Sequence, residues 1–224
     1  MEVDLSMRFR RSFRRGGLAV CAALALTSFS ALLLVSCSKN DDVTTADSNG
    51  EVETKNPVVS LKTTKGTVTI ELYPDKAPKS VENFLAYSES GFYDGTLFHR
   101  VVNDFIIQAG GYDAELNRKE TREPIQNEAN NGLKNERGTV AMARTSEPNS
   151  ATSQFFINVK DNAFLDFKSE TPQGWGYAVI GRVIEGMDVV DAIAGTETID
   201  RGGAFRNLPS DPVVVESATA KKPS

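Results

Sequence analysis

Two segments of the chain concentrate residue types that could act on a bound polypeptide. The first, residues 98–111, places an Arg at the end of one apolar run and a Gln within the next. The second, residues 138–159, has an Arg after an apolar run and then, beyond a polar loop, the run Ser-Gln-Phe-Phe-Ile. The glycines at 110 and 111 lack the spacing and the Lys of a phosphate loop, so they indicate a bend after a strand. By residue type alone, both segments could equally be ordinary core strands with a solvated Arg at one end.

The His and Cys content excludes several kinds of catalytic site. His99 is the only histidine, so a metal site built from several His is excluded. A Ser-His-Asp triad with Ser153 is formally possible, but the chain has no nucleophile elbow, and we interpret His99 as a structural residue. The two cysteines, Cys21 and Cys37, lie at the N-terminal end, which leaves the rest of the chain without thiol catalysis or Cys-ligated metal. We therefore expect neither a metal nor a cofactor.

Residues 1–36 have the features of a secretory leader. Five arginines between positions 8 and 15 outweigh Glu2 and Asp4 and give this stretch a net charge of +3, which leaves −8 for the rest of a chain whose formal charge is −5. An uncharged run of 21 residues, 16–36, follows. A positive region, an apolar stretch and small residues before the cleavage point are the parts of a signal peptide. The run is also long enough for an uncleaved membrane anchor, which takes roughly 20 residues.

Cys37, directly after this run, favours the signal peptide. The sequence Leu-Val-Ser-Cys resembles the bacterial lipobox, which implies cleavage before a diacylglycerol-modified Cys37 and a protein anchored by lipid outside the cytoplasm. More than one acyl chain on a single residue suits stable anchoring. Ser38 follows, where an Asp would suggest inner-membrane retention, so we expect the outer membrane, facing the periplasm, in a Gram-negative cell. Met7, where the basic region begins, is an alternative start to Met1.

Residues 37–56 predict a lipidated Cys followed by a tether. Residues 38–56 are polar and acidic with almost no large apolar residue, so they cannot bury enough surface to fold. A flexible tether of this length has a root-mean-square reach of roughly 24 Å. We expect one domain over residues 57–220 and a disordered tail at 221–224.

The domain reads as mainly β. Val68, Ile70 and Leu72 alternate with polar residues, which is the period of a half-buried strand. Strands are predicted over residues 58–64, 67–72, 97–102, 105–108, 139–143, 154–159, 177–183 and 213–217. Helices are predicted from Pro78 to a stop at Gly91 and over residues 187–194. Eight strands and two helices favour a closed eight-stranded antiparallel β-barrel with two flanking α-helices, because closure removes exposed edges.

Composition limits the partners. The apolar content of 40% and charged content of 25% are those of an ordinary globular protein. The net negative charge gives no reason to expect a nucleic acid partner. We expect a monomer whose contacts are a polypeptide substrate and, through Cys37, a membrane.

The two chemically distinctive segments closely resemble the signature of the cyclophilin family, in the same order and at fitting separation. The resemblance runs from about Val58 to Glu216, and the short loops with the run Ala-Met-Ala-Arg are similar to the bacterial branch. The most specific parts are Phe-His-Arg at 98–100, Gln-Ala-Gly-Gly at 108–111 and Ser-Gln-Phe-Phe-Ile at 153–157. The resemblance implies a cyclophilin-like fold and peptidyl-prolyl cis-trans isomerase activity.

The family's functional residues fall on positions present in this chain. The resemblance makes Arg100, Phe105 and Gln108 the catalytic residues, with Gln108 as a polar contact. It assigns substrate binding to Ile106, Ala143, Arg144, Gln154, Phe156, Phe164, Leu165 and Tyr177. Phe164 stands where many eukaryotic members have Trp, so we expect weak inhibition by cyclosporin, the inhibitor associated with the family. Residues 168–176 align poorly with it.

The implied reaction suits these residue types. Rotation about an X-Pro amide breaks no bond, so it needs no nucleophile, metal or cofactor. The expected substrates are proline-containing segments of proteins folding outside the cytoplasm. A non-catalytic chaperone module that holds such segments in the same groove is the alternative, and the intact set of Arg100, Phe105, Gln108 and Phe156 favours catalysis.

Overall fold

The computed structural model describes residues 55–222, so the predicted signal peptide, Cys37 and most of the predicted tether lie outside the described residues. The described part contains eleven β-strands and two α-helices. The strands are β1 (Val58–Thr63), β2 (Gly66–Leu72), β3 (Thr96–Leu97), β4 (Arg100–Val102), β5 (Ile106–Ala109), β6 (Thr139–Met142), β7 (Phe155–Asn158), β8 (Val179–Glu185), β9 (Thr198–Ile199), β10 (Leu208–Pro209) and β11 (Val214–Lys221). The helices are α1 (Pro78–Glu89) and α2 (Met187–Ala194).

The main sheet is antiparallel and has nine strands, in the order β3-β11-β1-β2-β8-β6-β7-β5-β4. It is a curled half-barrel, so the prediction of a closed eight-stranded barrel was wrong, whereas the mainly β class and the two α-helices were right. A separate two-stranded sheet pairs β9 with β10, and neither strand was predicted.

The opening of the barrel lies within residues 97–102, which were predicted as one strand. They form β3 and β4 instead, at opposite ends of the sheet. The reason lies in their backbone partners, since Phe98 N donates to Val213 O at 2.9 Å and Val101 N donates to Asn207 O at 2.9 Å. In addition, β3 pairs with β11 whereas β4 pairs with β5, so residues 97–102 do not form a single continuous ladder. Alternation of apolar residues does not reveal such a corner.

Most of the other predicted elements are confirmed within one or two residues. The helix at 187–194 has the predicted bounds, and Pro78 occupies the first turn of α1. The last strand is longer than predicted, because β11 pairs with β1 from Val215 to Lys221, the first residue of the predicted tail. Within residues 55–222, neither α-helix combines the length and the apolar character needed to cross a bilayer.

Two apolar clusters lie inside the domain. The larger includes the buried faces of both helices, with Val81 and Phe84 from α1 and Val190 and Ile193 from α2, all at most 1% exposed. The smaller lies among β5, β6, β7 and the start of β8. The second cluster is where the functional residues implied by the sequence converge.

Candidate active site

The centre of the site is set by the pairing of β4, β5 and β7. Arg100 lies opposite Gln108, and Gln108 lies opposite Phe156. Residues directly opposite each other in an antiparallel sheet project from the same face. The ladder therefore places a guanidinium, an amide and an aromatic ring in one row across three strands, although 56 residues of sequence separate the first from the last.

The Arg100 guanidinium is half-buried and available to a ligand. Its Cζ lies 5.6 Å from the centroid of the Phe105 ring, within the range of a cation–π contact. Among residues 55–222 it forms no ion pair or hydrogen bond. Burial lowers the pKa of Arg100 from its ordinary value, and the nearby Tyr177 partly offsets this. The group remains a cation, because an Arg guanidinium is effectively always protonated in proteins.

Gln108 and Gln154 form a pair beside this cation. The Gln108 Nε2 donates to the Gln154 Oε1 at 2.8 Å. Gly111 packs against the same amide, since a Cβ at this position would lie 2.6 Å from Cδ and 2.7 Å from Cγ of Gln154. The chain thus holds the Gln154 side chain by one hydrogen bond and by contact with a residue that has no side chain.

The smaller apolar cluster lies next to the row, and we call its residues the apolar pocket. Its buried members are Ile106, Ala141, Phe156, Leu165 and Val179, and the half-buried residues packed against them are Phe105, Leu133, Ala143 and Tyr177. Phe156 and Tyr177 meet edge to face with their centroids 5.5 Å apart. All of these side chains are aromatic or aliphatic, which suits contact with a compact apolar ring.

The rim of the pocket carries an exposed aromatic residue. Phe164 is 62% exposed and stacks on Phe105, with centroids 5.5 Å apart and an interplanar angle of 24°. On the other side, the Arg144 guanidinium lies 4.8 Å from the Tyr177 centroid, and its Nε donates to Gly176 O at 2.8 Å. Arg144 therefore fixes the segment that carries Tyr177.

Residues 168–176, which could not be placed by resemblance, form a compact turn. Lys168 N donates to Gly174 O, and Trp175 N donates to Thr171 O. The turn closes where Gly176, at φ +64°, packs so tightly on residues 165–167 that a Cβ would lie 2.6 Å from their backbone. The segment returns the chain to Tyr177 at the pocket instead of covering the pocket.

All the predicted substrate-facing residues thus lie in or beside one site. The residues that sequence reasoning missed are Leu133, Ala141 and Val179, which complete the pocket. They come from two predicted strands and a loop, and small or aliphatic side chains in such positions look like ordinary core. Cys37 lies outside the described residues.

His99 and Ser153 do not form a catalytic pair. His99 is 2% exposed and packs edge-on against Tyr112 with centroids 4.7 Å apart. Burial lowers the pKa of His99 to about 4, so it is neutral at pH 7. Ser153 is fully buried, and its Oγ donates to Gly110 O at 2.6 Å. Residues 55–222 also contain no group of three His, Cys, Asp or Glu placed to hold a metal ion.

Comparison with known proteins gives one family. Residues 58–220 match the family model described as cyclophilin type peptidyl-prolyl cis-trans isomerase. A peptidyl-prolyl cis-trans isomerase of Streptomyces antibioticus is 61% identical over 160 residues, which are 71% of this chain and 96% of that protein. Peptidyl-prolyl cis-trans isomerase B of Escherichia coli is 53% identical over 165 residues, 74% of this chain and all of that protein.

A longer match and a solved structure agree with these relatives. Peptidyl-prolyl cis-trans isomerase A of Dickeya dadantii is 49% identical over 200 residues, 89% of this chain and 94% of that protein. A crystal structure of a cyclophilin type isomerase from Cryptosporidium parvum, in the presence of the dipeptide Ala-Pro, has a TM-score of 0.59 at 26% identity. It covers 74% of this chain and 99% of that one.

Proposed function

The chain belongs to the family of cyclophilin type peptidyl-prolyl cis-trans isomerases, and we propose that Arg100, set beside the apolar pocket, catalyses rotation about X-Pro bonds in polypeptides. The isomerase activity itself follows from relatives that share about half or more of their residues with this chain. The observation that carries the residue assignment is the half-buried Arg100 guanidinium, which has no ion pair or hydrogen bond within residues 55–222 and lies against Phe105, a residue packed on the apolar cluster.

The reaction needs stabilisation of a twisted amide. Turning an X-Pro bond costs about 18–20 kcal/mol because the resonance of the amide is lost. In the twisted state the proline nitrogen regains a lone pair, which can accept a hydrogen bond that the planar amide cannot accept. A fixed cation aimed at this nitrogen therefore favours the transition state over the ground state. Arg100 fits this role because its guanidinium is permanently charged and has several donors in a rigid fork.

The apolar pocket and the two glutamines hold the substrate while Arg100 acts on the proline nitrogen. Ile106, Phe156 and Leu165 hold the proline ring while the preceding carbonyl turns. Gln108 and Gln154, joined by their hydrogen bond, place amide groups beside Arg100 that can contact the substrate backbone. Ala143 and the backbone of Arg144 form the wall along which an extended substrate lies.

Magnitudes show that Arg100 does not act alone. Raising a rate from about 0.01 to about 10³ per second is about a 10⁵-fold change, or roughly 7 kcal/mol. One hydrogen bond to a charged group contributes about 1.5–3 kcal/mol. The remainder must come from holding the substrate and from the reduced access of water to a pocket whose walls are largely buried.

The place of action is also part of the proposal. The basic leader and the Leu-Val-Ser-Cys run ending at Cys37 support an extracytoplasmic protein anchored by lipid, with the domain carried on the tether of residues 38–56. Its substrates would be proteins that fold after export. The Cryptosporidium parvum structure, obtained in the presence of the dipeptide Ala-Pro, supports proline-containing segments as the ligands of this site.

The direct test is the relaxation of an Ala-Pro peptide after a jump that enriches its cis isomer. Purified protein should accelerate the relaxation in proportion to its concentration, because no co-substrate is consumed. The Arg100→Ala protein at the same concentration serves as the matched control. Relaxation at the uncatalysed rate in the presence of folded wild-type protein would exclude the proposed function.

A further inference from the structure

Three buried asparagines lie directly behind the apolar pocket. Asn135, Asn158 and Asn162 are 1%, 0% and 0% exposed. None of them is among the pocket-lining residues, and no catalytic step of the proposed reaction uses them. Asn158 interrupts the otherwise apolar run of β7, where a polar side chain needs partners to remain buried.

The three side chains are joined in a continuous chain of hydrogen bonds. Asn162 Nδ2 donates to Asn158 Oδ1 at 2.8 Å, and Asn158 Nδ2 donates to Asn135 Oδ1 at 3.2 Å. Asn158 Nδ2 also donates to Thr139 Oγ1 at 2.9 Å. We call Asn135, Asn158 and Asn162 the asparagine relay.

Both ends of the asparagine relay bind backbone carbonyls of pocket residues. At one end, Asn162 Nδ2 donates to Phe105 O at 3.0 Å. At the other end, Asn135 Nδ2 donates to Leu165 O at 3.2 Å and to Tyr177 O at 3.3 Å. Asp166 adds a further tie, because its Oδ1 accepts from the backbone N of Asn135 at 2.8 Å.

The pocket residues at these ends lie outside the β-ladder. Phe105 precedes β5, Leu165 ends a short 3₁₀ turn, and Tyr177 precedes β8. Phe105 O also accepts from Val159 N at 3.0 Å, and Leu165 O accepts from Tyr177 N at 2.9 Å. Outside a continuous ladder, the position of these segments depends on a few such bonds, to which the asparagines add side-chain donors. The asparagine relay supplies such bonds to three separate segments from a single buried network.

We propose that the asparagine relay holds the walls of the proline pocket in register, so that Asn135, Asn158 and Asn162 are positioning residues for substrate binding. The proposal rests on the proposed isomerase function of the same pocket. Members of a buried amide network stabilise one another, and a break in the middle leaves neighbouring donors or acceptors unpaired. A break should therefore loosen Phe105, Leu165 and Tyr177 together.

The expected kinetic signature separates the asparagine relay from Arg100. The pocket grips the proline ring both before and during rotation, so a looser pocket weakens ground-state and transition-state binding alike. A loss of this kind raises KM and leaves kcat nearly unchanged. Loss of the Arg100 cation instead removes an interaction of the transition state and lowers kcat.

The test uses Asn158, because its side chain binds only Asn135, Asn162 and Thr139 and no pocket residue. In the full-length protein, Asn158→Ala should raise KM for an Ala-Pro peptide about tenfold, the effect of about one buried hydrogen bond, with kcat within about twofold. Ser88→Ala is the control, since Ser88 is also buried and donates only to Phe84 O within α1. It should lower Tm without changing KM.

A milder variant covers the case in which Asn158→Ala does not fold. Asn158→Thr suits a strand and keeps one donor where the amide has two, so KM should rise about threefold. Wild-type KM in the folded variants, with only Tm lowered, would overturn the proposal while leaving the isomerase function intact. A wild-type protein without isomerase activity would instead contradict the proposed function from which this inference starts.

Discussion

Gln154 receives a hydrogen bond from Gln108 on one side and meets Gly111, a residue without a side chain, on the other. The first contact fixes which end of the amide faces the Arg100 row, because an oxygen that accepts from Gln108 leaves the N–H groups of Gln154 facing away from it. The second sets how far the amide can move. The orientation of Gln154 therefore depends on two residues that sequence reasoning had treated separately, one as a polar contact and one as a strand bend.

We predict that Gly111→Ala lowers kcat/KM about tenfold while the protein stays folded. The added Cβ would lie 2.6–2.7 Å from carbons of the Gln154 side chain and push the amide away from Gln108, with the loss of about one hydrogen bond. Gly111 is not in the left-handed region, so Ala strains no backbone there. The measurement is turnover of an Ala-Pro peptide beside a thermal melt. In a Gln154→Ala background, Gly111→Ala should not lower kcat/KM further. Fully additive losses in kcat/KM would disprove that Gly111 acts through Gln154.

Arg100→Ala should reduce kcat/KM roughly 10- to 150-fold, which is the value of one charge-assisted hydrogen bond in the transition state. Tm should change little, because Arg100 has no ion pair in the described part of the chain that the substitution would break. Arg100→Lys keeps the charge without the rigid fork, so its kcat/KM should lie between those of wild type and Arg100→Ala. Near-normal turnover of a folded Arg100→Ala protein would disprove the assigned role.

Stability should fall in mild acid because of His99. Its pKa is about 4 when folded, against about 6.5 for an ordinary His, since burial disfavours the charged form. Above pH 6.5 both states are neutral and His99 imposes no penalty. As the pH falls from about 6.5 to about 4, the unfolded chain binds a proton that the folded one does not, and the free energy of unfolding drops by roughly 3 kcal/mol in total.

The measurement is the free energy of unfolding at a series of pH values for wild type and for His99→Gln. The difference between the two curves isolates this residue from carboxylates such as Asp113 and Asp191, whose lowered pKa values make them titrate further into acid. The wild-type curve should be steeper between pH 6.5 and 4. Parallel curves would show that His99 does not titrate as described.

Cyclosporin should inhibit the protein weakly, and Phe164→Trp should strengthen the inhibition. Phe164 lies exposed on the rim and stacks on Phe105, but it has no N–H donor, whereas an indole has one. One neutral hydrogen bond is worth about 0.5–1.5 kcal/mol, so the inhibition constant should fall roughly 2- to 13-fold. Peptide turnover should change little, since both rings give an apolar wall. Equal inhibition of the two proteins would show that Phe164 does not limit it.

Cys37→Ser should leave the precursor unlipidated and uncleaved, because the Leu-Val-Ser-Cys run then lacks the residue that receives the lipid. Incorporation of labelled palmitate in cells measures this directly. Cys21→Ser is the matched control and should label as wild type does, since Cys21 lies inside the uncharged run. Equal labelling of the Cys37 variant would contradict the lipidation site.

Much of the fold was predictable because local patterns determine it. The alternation Val68, Ile70, Leu72 predicted β2, and Pro78 with the stop at Gly91 predicted α1. The prediction of a closed barrel was wrong because closure depends on whether the two edge strands hydrogen-bond to each other. Phe98 and Val101 donate to residues more than one hundred positions away, and no local pattern carries that information.

The site likewise depends partly on features visible in the sequence and partly on the tertiary structure. Resemblance of the motifs to the cyclophilin signature was enough to propose Arg100, Gln108, Gln154 and Phe156 as site residues, whereas residue type alone could not distinguish them from ordinary core. Their alignment across β4, β5 and β7, the Gly111 contact and the asparagine relay depend on tertiary structure. The physical reason is that hydrogen bonds and close contacts act over a few ångströms in space, where residues distant in sequence become neighbours only after the chain has folded.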